Sequence, residues 1–347
     1  MRSRYLSAIA LLSIAAAACS SKDSGPSYAS SADSATIQTL AEGASNLASN
    51  ALNEAFGSQG STLTGFLALS KSANRTSVAE RVNAIVQHEL RLASVVGARS
   101  GASFAPVPAF AAPFSECTPT QTGVDSLGDP IDTDADGIPD NWTVNFGSAC
   151  VSEDSAGTQR ETVSGSLHFQ DTNQGFFSFS LAFSNLKLKF EDLTSGDFTQ
   201  IALNGTETAQ FAAALASHNT NFTVTQSMKS GANTISLTVA NTESSSFDPD
   251  GAGTLALGDP LPAGDFDFTS DFRVLGSNSG GEIPGNFRLT VSTPTALHYN
   301  PACGGGDIDS GILRGLLNGN SNVGFTFTWT GCGTTTFDVF GNTEPTA

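Results

Sequence analysis

The chain has 347 residues, of which 39% are hydrophobic and only 14% charged, and its 33 Asp and Glu against 15 Lys and Arg give a formal net charge of −18. A negative excess of that size argues strongly against nucleic-acid phosphates or anionic lipid headgroups as partners, and it favours cations. Five cysteines, one near the start and four spread along the rest, fit an exported chain better than a cytosolic one.

Arg2 and Arg4 precede an almost unbroken apolar run over 6–18, which closes in Ala16-Ala17-Ala18-Cys19. A basic start, an apolar middle and small residues at the cleavage point predict a signal peptide over 1–18. About thirteen apolar residues are too few to cross a bilayer of ~30 Å, which needs roughly twenty. A cysteine directly after the small residues resembles the bacterial lipobox, with Ala16 where that motif commonly has Leu. The resemblance implies that the Cys19 thiol carries acyl chains such as palmitate and becomes the new N-terminus. Ser20, in place of Asp, is similar to lipoproteins passed on to the outer membrane. Loss of the signal removes Arg2 and Arg4, which leaves 13 basic against 33 acidic residues, a net charge of −20. Residues 19–33 read as a polar, flexible tether.

Over 34–100 the apolar residues recur at helical spacing. Ile37, Leu40, Ala44, Leu47, Ala51 and Leu52 form one stripe that stops at Gly57; Val78, Val82, Ile85, Val86 and Leu90 form a second, after the N-cap candidates Thr76 and Ser77. Each helix has a single apolar face and must lie against something. Residues 101–116, rich in Ala, Pro and Phe, read as a linker.

Between Cys117 and Cys150 the chain is turn-rich and acidic. Asp132, Asp134 and Asp136 stand at every second position before Gly137, followed by Ile138, Pro139 and Asp140. That spacing directs several carboxylates at one centre, with the Ile138 carbonyl and Asp140 available to complete it; hard oxygen donors of this kind suit calcium. The stretch resembles the first nine positions of an EF-hand loop and, more closely, a thrombospondin type 3 calcium repeat. Thr143 stands where those loops carry a closing acid, so Asp125 or Asp129 is needed to fill the shell, and binding in the ~10⁻⁴–10⁻³ M class is expected. The four cysteines beyond Cys19 allow three pairings; Cys117–Cys150 and Cys303–Cys332 are favoured because each brackets one local segment. Asp248-Pro249-Asp250-Gly251 is a second acidic turn, too short to be a site.

From 151 to 347 the period changes to two. Phe177, Phe179, Leu181 and Phe183, then Leu186, Leu188 and Phe190, and later Phe266, Phe268, Phe287, Leu289, Phe325 and Phe327 alternate with Ser, Thr, Asn and Lys. One apolar and one wet face predict antiparallel pairing. Asn204-Gly205, Lys229-Ser230-Gly231-Ala232-Asn233 and Gly280-Gly281 read as breaks between strands. The fold class is therefore mainly β with an α-helical N-terminal part: a large antiparallel meander of about ten or more strands, open barrel or two-layer, packed with the two helices.

No Gly-x-Ser-x-Gly elbow, HExxH motif or phosphate-binding glycine loop is present, and His88, His168, His218 and His298 share no spacing. The composite expectation is a membrane-anchored envelope lipoprotein acting as a structural or interaction module with a weak calcium site. A carrier or sensor of an apolar ligand such as a lipid is the alternative, and a carboxylate-based hydrolase a second one.

Overall fold

The computed structural model describes residues 119–341 apart from 137, 148–149, 175–176, 252, 254, 256–260, 279–280, 283–285 and 304–307. The expected signal, Cys19, the tether, both helices, the linker, Cys117 and Gly137 lie outside the described residues.

One antiparallel sheet of fourteen strands makes up the described part. Its strands are β1 (Thr120–Thr122), β2 (Trp142–Asn145), β3 (Cys150–Glu153), β4 (Gln159–Asp171), β5 (Ser178–Asp192), β6 (Phe198–Ala212) and β7 (Leu215–Ser230). They continue as β8 (Asn233–Pro249), β9 (Gly264–Asn278), β10 (Gly281–Glu282), β11 (Phe287–Tyr299), β12 (Ile308–Leu317), β13 (Asn320–Gly331) and β14 (Thr334–Phe340). Neighbours in sequence are neighbours in space, so the order is a meander. The exceptions are β3, which shares the edge of β4 with β2, and β10, which only extends β9. Among the described residues β1 and β14 do not pair, so the sheet is not closed.

Strand β5 keeps one face apolar by a correction in mid-strand. On β5, Phe179, Leu181 and Phe183 are buried at odd positions and Leu186 and Leu188 at even ones. The phase changes at Ser184 and Asn185, where the pairing with both β4 and β6 slips. Such a bulge adds one residue and returns the apolar set to the same face, which an uncorrected strand would lose. Asn185 takes the left-handed conformation, φ 48°, and its N–H donates to Asn204 Oδ1 at 2.7 Å. Across the ladder a Cβ on Gly165 would lie 2.2 Å from the Asn185 carbonyl oxygen, so glycine is required there.

Asn204 and Gly205 therefore do not end a strand, contrary to the turn expected from their sequence. They sit inside β6, where Asn204 caps the bulge. Gly205, opposite Phe183 on one side and Phe222 on the other, has φ 138°, and a Cβ there would lie 2.0 Å from the Asn221 carbonyl oxygen, so glycine is needed for the close approach of β7. The turn expected around Gly231 is present between β7 and β8.

The buried face carries two apolar clusters. The first contains Ile138, Trp142, Phe169, Phe183, Leu203 and Val239; the second contains Phe247, Leu255, Leu261, Phe266, Leu313 and Phe325. A polar band runs between them on β6 to β9. Glu207, 1% exposed, accepts or shares a proton with His218 Nε2 at 2.9 Å, and Ser270 donates to Asn241, whose amide donates to Glu243 at 2.9 Å. Mutual hydrogen bonding is what makes such groups tolerable inside. The opposite face is wet, with cross-strand hydroxyl pairs Thr225–Thr238 at 3.1 Å and Ser227–Ser236 at 2.9 Å.

Candidate metal centre in the acidic loop

The loop from Asp125 to Asp140 is built on local carboxylate-to-amide bonds. Asp125 Oδ1 accepts the N–H groups of Leu127 (2.8 Å) and Asp129 (3.0 Å), so this carboxylate caps its own turn. Backbone bonds from Ile131 to Gly123 and from Asp140 to Ile131 close the base. At the far end Ile138 is 1% exposed and belongs to the first apolar cluster, with Trp142 buried beside it and its indole N–H donating to Gln121 at 3.1 Å. The hydrophobic part of the motif is thus an anchor that seats the loop on the sheet.

Asp132, Asp134 and Asp136 come together, with one carboxylate oxygen from each within 4.8 Å of the others. Two of them also shape the backbone. Asp132 Oδ1 accepts the N–H of Ala135, which sits in the left-handed region at φ 59°, and Asp136 Oδ1 accepts the N–H of Ile138 at 2.7 Å. The second oxygen of Asp136, Oδ2, is buried with no hydrogen-bond partner. Burial above all, then the negative charges of Asp134, Asp171 and Asp132, push its carboxyl up to about 6, against the opposing pull of the Ile138 N–H. A buried, unpaired carboxylate oxygen among like charges is the arrangement a hard divalent cation relieves, and three carboxylates suit calcium in particular.

Asp140 has a different task. Its oxygens accept the Thr133 N–H at 2.9 Å, the Thr133 hydroxyl and the Gln174 amide at 3.2 Å, and the bonds to Thr133 chiefly hold its carboxyl below the usual range. Ile138 contributes its buried side chain. Thr143 already lies in β2, paired with Thr122 and His168.

One participant was not foreseen. Asp171, buried at the end of β4, bonds through its N–H to the Pro139 carbonyl at 2.8 Å and through its carboxylate to Gln174 Nε2 at 3.0 Å. Gln174 thereby bridges Asp140 and Asp171, and the Asp171 charge acts on Asp136. Only the fold brings this residue to the loop; Asp171-Thr172-Asn173-Gln174 by itself reads as a turn.

Cys303 and Cys332 form a disulfide, as the spacing suggested, with Cα atoms 5.2 Å apart. Asp309 lies within 4.8 Å of both sulfurs, but sulfurs bonded to each other are not thiolate ligands, so this group is no metal site. Cys150, at the start of β3, is also disulfide-bonded. The three described histidines are apart from one another: His168 bonds Asn141 at 2.8 Å, His218 bonds Glu207, and His298 bonds Asp250 and Asp309. No family model, curated protein or solved structure matches this chain.

Proposed function

We propose that the chain is an exported lipoprotein of the cell envelope, held at the outer membrane by acyl chains on Cys19, whose sheet is a structural or interaction module stiffened by calcium. The observation that carries the calcium reading is the convergence of Asp132, Asp134 and Asp136 around the partnerless Oδ2 of Asp136. In this reading Asp140, Asp171 and Gln174 hold the loop in shape, and the Ile138 carbonyl, Asp125 or Asp129 completes the shell with water. A Cys117–Cys150 bridge at the base of the loop, and the apolar stripes of 34–100 lying on the sheet, belong to the same proposal. The affinity is set in the ~10⁻⁴–10⁻³ M class by the missing closing acid.

Titration of the full chain with calcium and with magnesium, followed by calorimetry, tests the site. Saturable calcium binding that disappears in Asp136→Asn is the expected result; equal, non-saturating heats in both proteins overturn it. The anchor is tested separately by membrane fractionation: Cys19→Ala is expected in the soluble fraction, and its retention alongside wild type removes the lipoprotein reading.

The apolar-ligand reading draws on one feature, the polar band of Glu207, His218 and Asn241 between two phenylalanine-rich clusters, a pattern that suits an amphiphile with one polar group. Thermal stabilisation by micromolar fatty acid would favour it over the structural role.

A further inference from the structure

The acidic turn Asp248-Pro249-Asp250-Gly251 is held by a histidine from a distant strand. His298, near the end of β11, has Nδ1 2.7 Å from Asp309 Oδ1 on β12 and Nε2 3.0 Å from Asp250 Oδ2 in the turn after β8. An ionised carboxylate oxygen only accepts, so with both carboxylates ionised the two contacts are satisfied together only when each ring nitrogen carries hydrogen, that is, by the imidazolium form of His298. Asn300 Nδ2 fixes the other Asp309 oxygen at 2.7 Å. Among the described residues the ladder partners of His298 are acidic or neutral: on β9 it pairs with Asp265, whose own partner on β8 is Asp248, and on β12 with Ser310. The His298 ring thus stands between one carboxylate from the turn after β8 and one from β12.

We propose that His298 is a protonation-operated clasp: charged, it ties the turn after β8 to β12; neutral, it releases Asp250 and leaves the Asp250 and Asp309 carboxylates with no cation between them. The clasp has leverage on the core. Asp250 N–H bonds the Ala263 carbonyl, Gly253 N–H bonds the Asp250 carbonyl and Leu255 N–H bonds the Ala213 carbonyl, each at 2.9 Å. Leu255 and Leu261, carried by the same connection, are buried in the second apolar cluster. Hydrogen bonds to Asp250 and then Asp309 raise the His298 pKa above its ordinary value, against partial desolvation. A raised folded-state pKa means that the stabilisation is fully present below ~6.5, the unfolded value, and is lost as pH rises through the folded value. The clasp therefore opens on the alkaline side.

Proton NMR of the full chain tests this, with the His298 ring followed against pH and the exchange protection of the Leu255 amide measured in parallel. The expected midpoint lies above ~6.5 and moves down in Asp250→Asn. Leu255 protection is expected to fall severalfold across that midpoint in wild type, to stay high in His298→Lys, which keeps its charge, and to be low throughout in Asp250→Asn. A midpoint at or below ~6.5, or the same alkaline loss of protection in His298→Lys as in wild type, overturns the proposal.

Discussion

Asp132-Thr133-Asp134-Ala135-Asp136-Gly137 and Asp248-Pro249-Asp250-Gly251 look alike on paper, with alternate carboxylates running into a glycine, yet the folded protein balances their charge in opposite ways. Around the first, the charge that the fold adds at Asp136 is another acid, Asp171, and one oxygen of Asp136 is left buried without a donor. Around the second, a histidine ring from β11 stands between two carboxylates. Acid density alone therefore does not define a cation site. What distinguishes the two is whether the tertiary neighbour brings its own positive charge.

The largest blow to this contrast comes from unseating the first loop. Ile138→Ala removes a fully buried side chain beneath it and is expected to cost about 2–5 kcal/mol in denaturant unfolding, with calcium binding lost alongside. Next is the cation itself. If the proposed site has a dissociation constant of ~1 mM, ~10 mM calcium is expected to stabilise the folded state by roughly 1.4 kcal/mol, measurable as a rise in melting temperature. Asp136→Asn is expected to abolish that rise and Asp250→Asn to leave it intact; a rise lost equally in both would erase the distinction between the two turns.

A third acid sharpens the comparison with the smallest expected effect. Asp271 on β9 is gripped by both guanidinium groups of its neighbours: Arg288 Nε and Nη2 each donate at 2.9 Å, and Arg273 bonds both oxygens as well. Partial desolvation would raise its carboxyl, but the two arginines outweigh it and hold the pKa low. With the folded value depressed, the contribution is present above ~3.9 and fades as pH falls through the folded value. Asp271→Asn is expected to cost no more than ~1 kcal/mol at pH 7, the gap from wild type closing in acid melts; a constant gap down to pH 2 would mean that charge is not the cause.

Much of the sheet was legible because period-two alternation is a local property. Phe179, Leu181 and Phe183, or Phe325 and Phe327, announce their face within a few residues. Asn204-Gly205 misled, since a pair that forms a hairpin when isolated serves here to cap a bulge and to let the β7 backbone approach closely. In the acidic loop, the convergence of Asp132, Asp134 and Asp136 follows from their spacing. The spacing points Asp140 at the same centre, and the hydroxyl and amide of Thr133, which donate to its oxygens, become visible only in the folded loop.

By itself the order of residues determined that this chain makes an antiparallel meander, which side chains of most strands turn inward and which acids meet in the first loop, and it favoured the pairing of Cys303 with Cys332 among three. Those outcomes depend on neighbours a few bonds away or on a short closed segment. Only the folded sheet decided that Asp171 and Gln174 reach the loop, that a polar band divides the apolar face, and that His298 neutralises the second turn. Each of these depends on register between strands far apart in sequence, where a slip of one residue would send the same side chains to the opposite face.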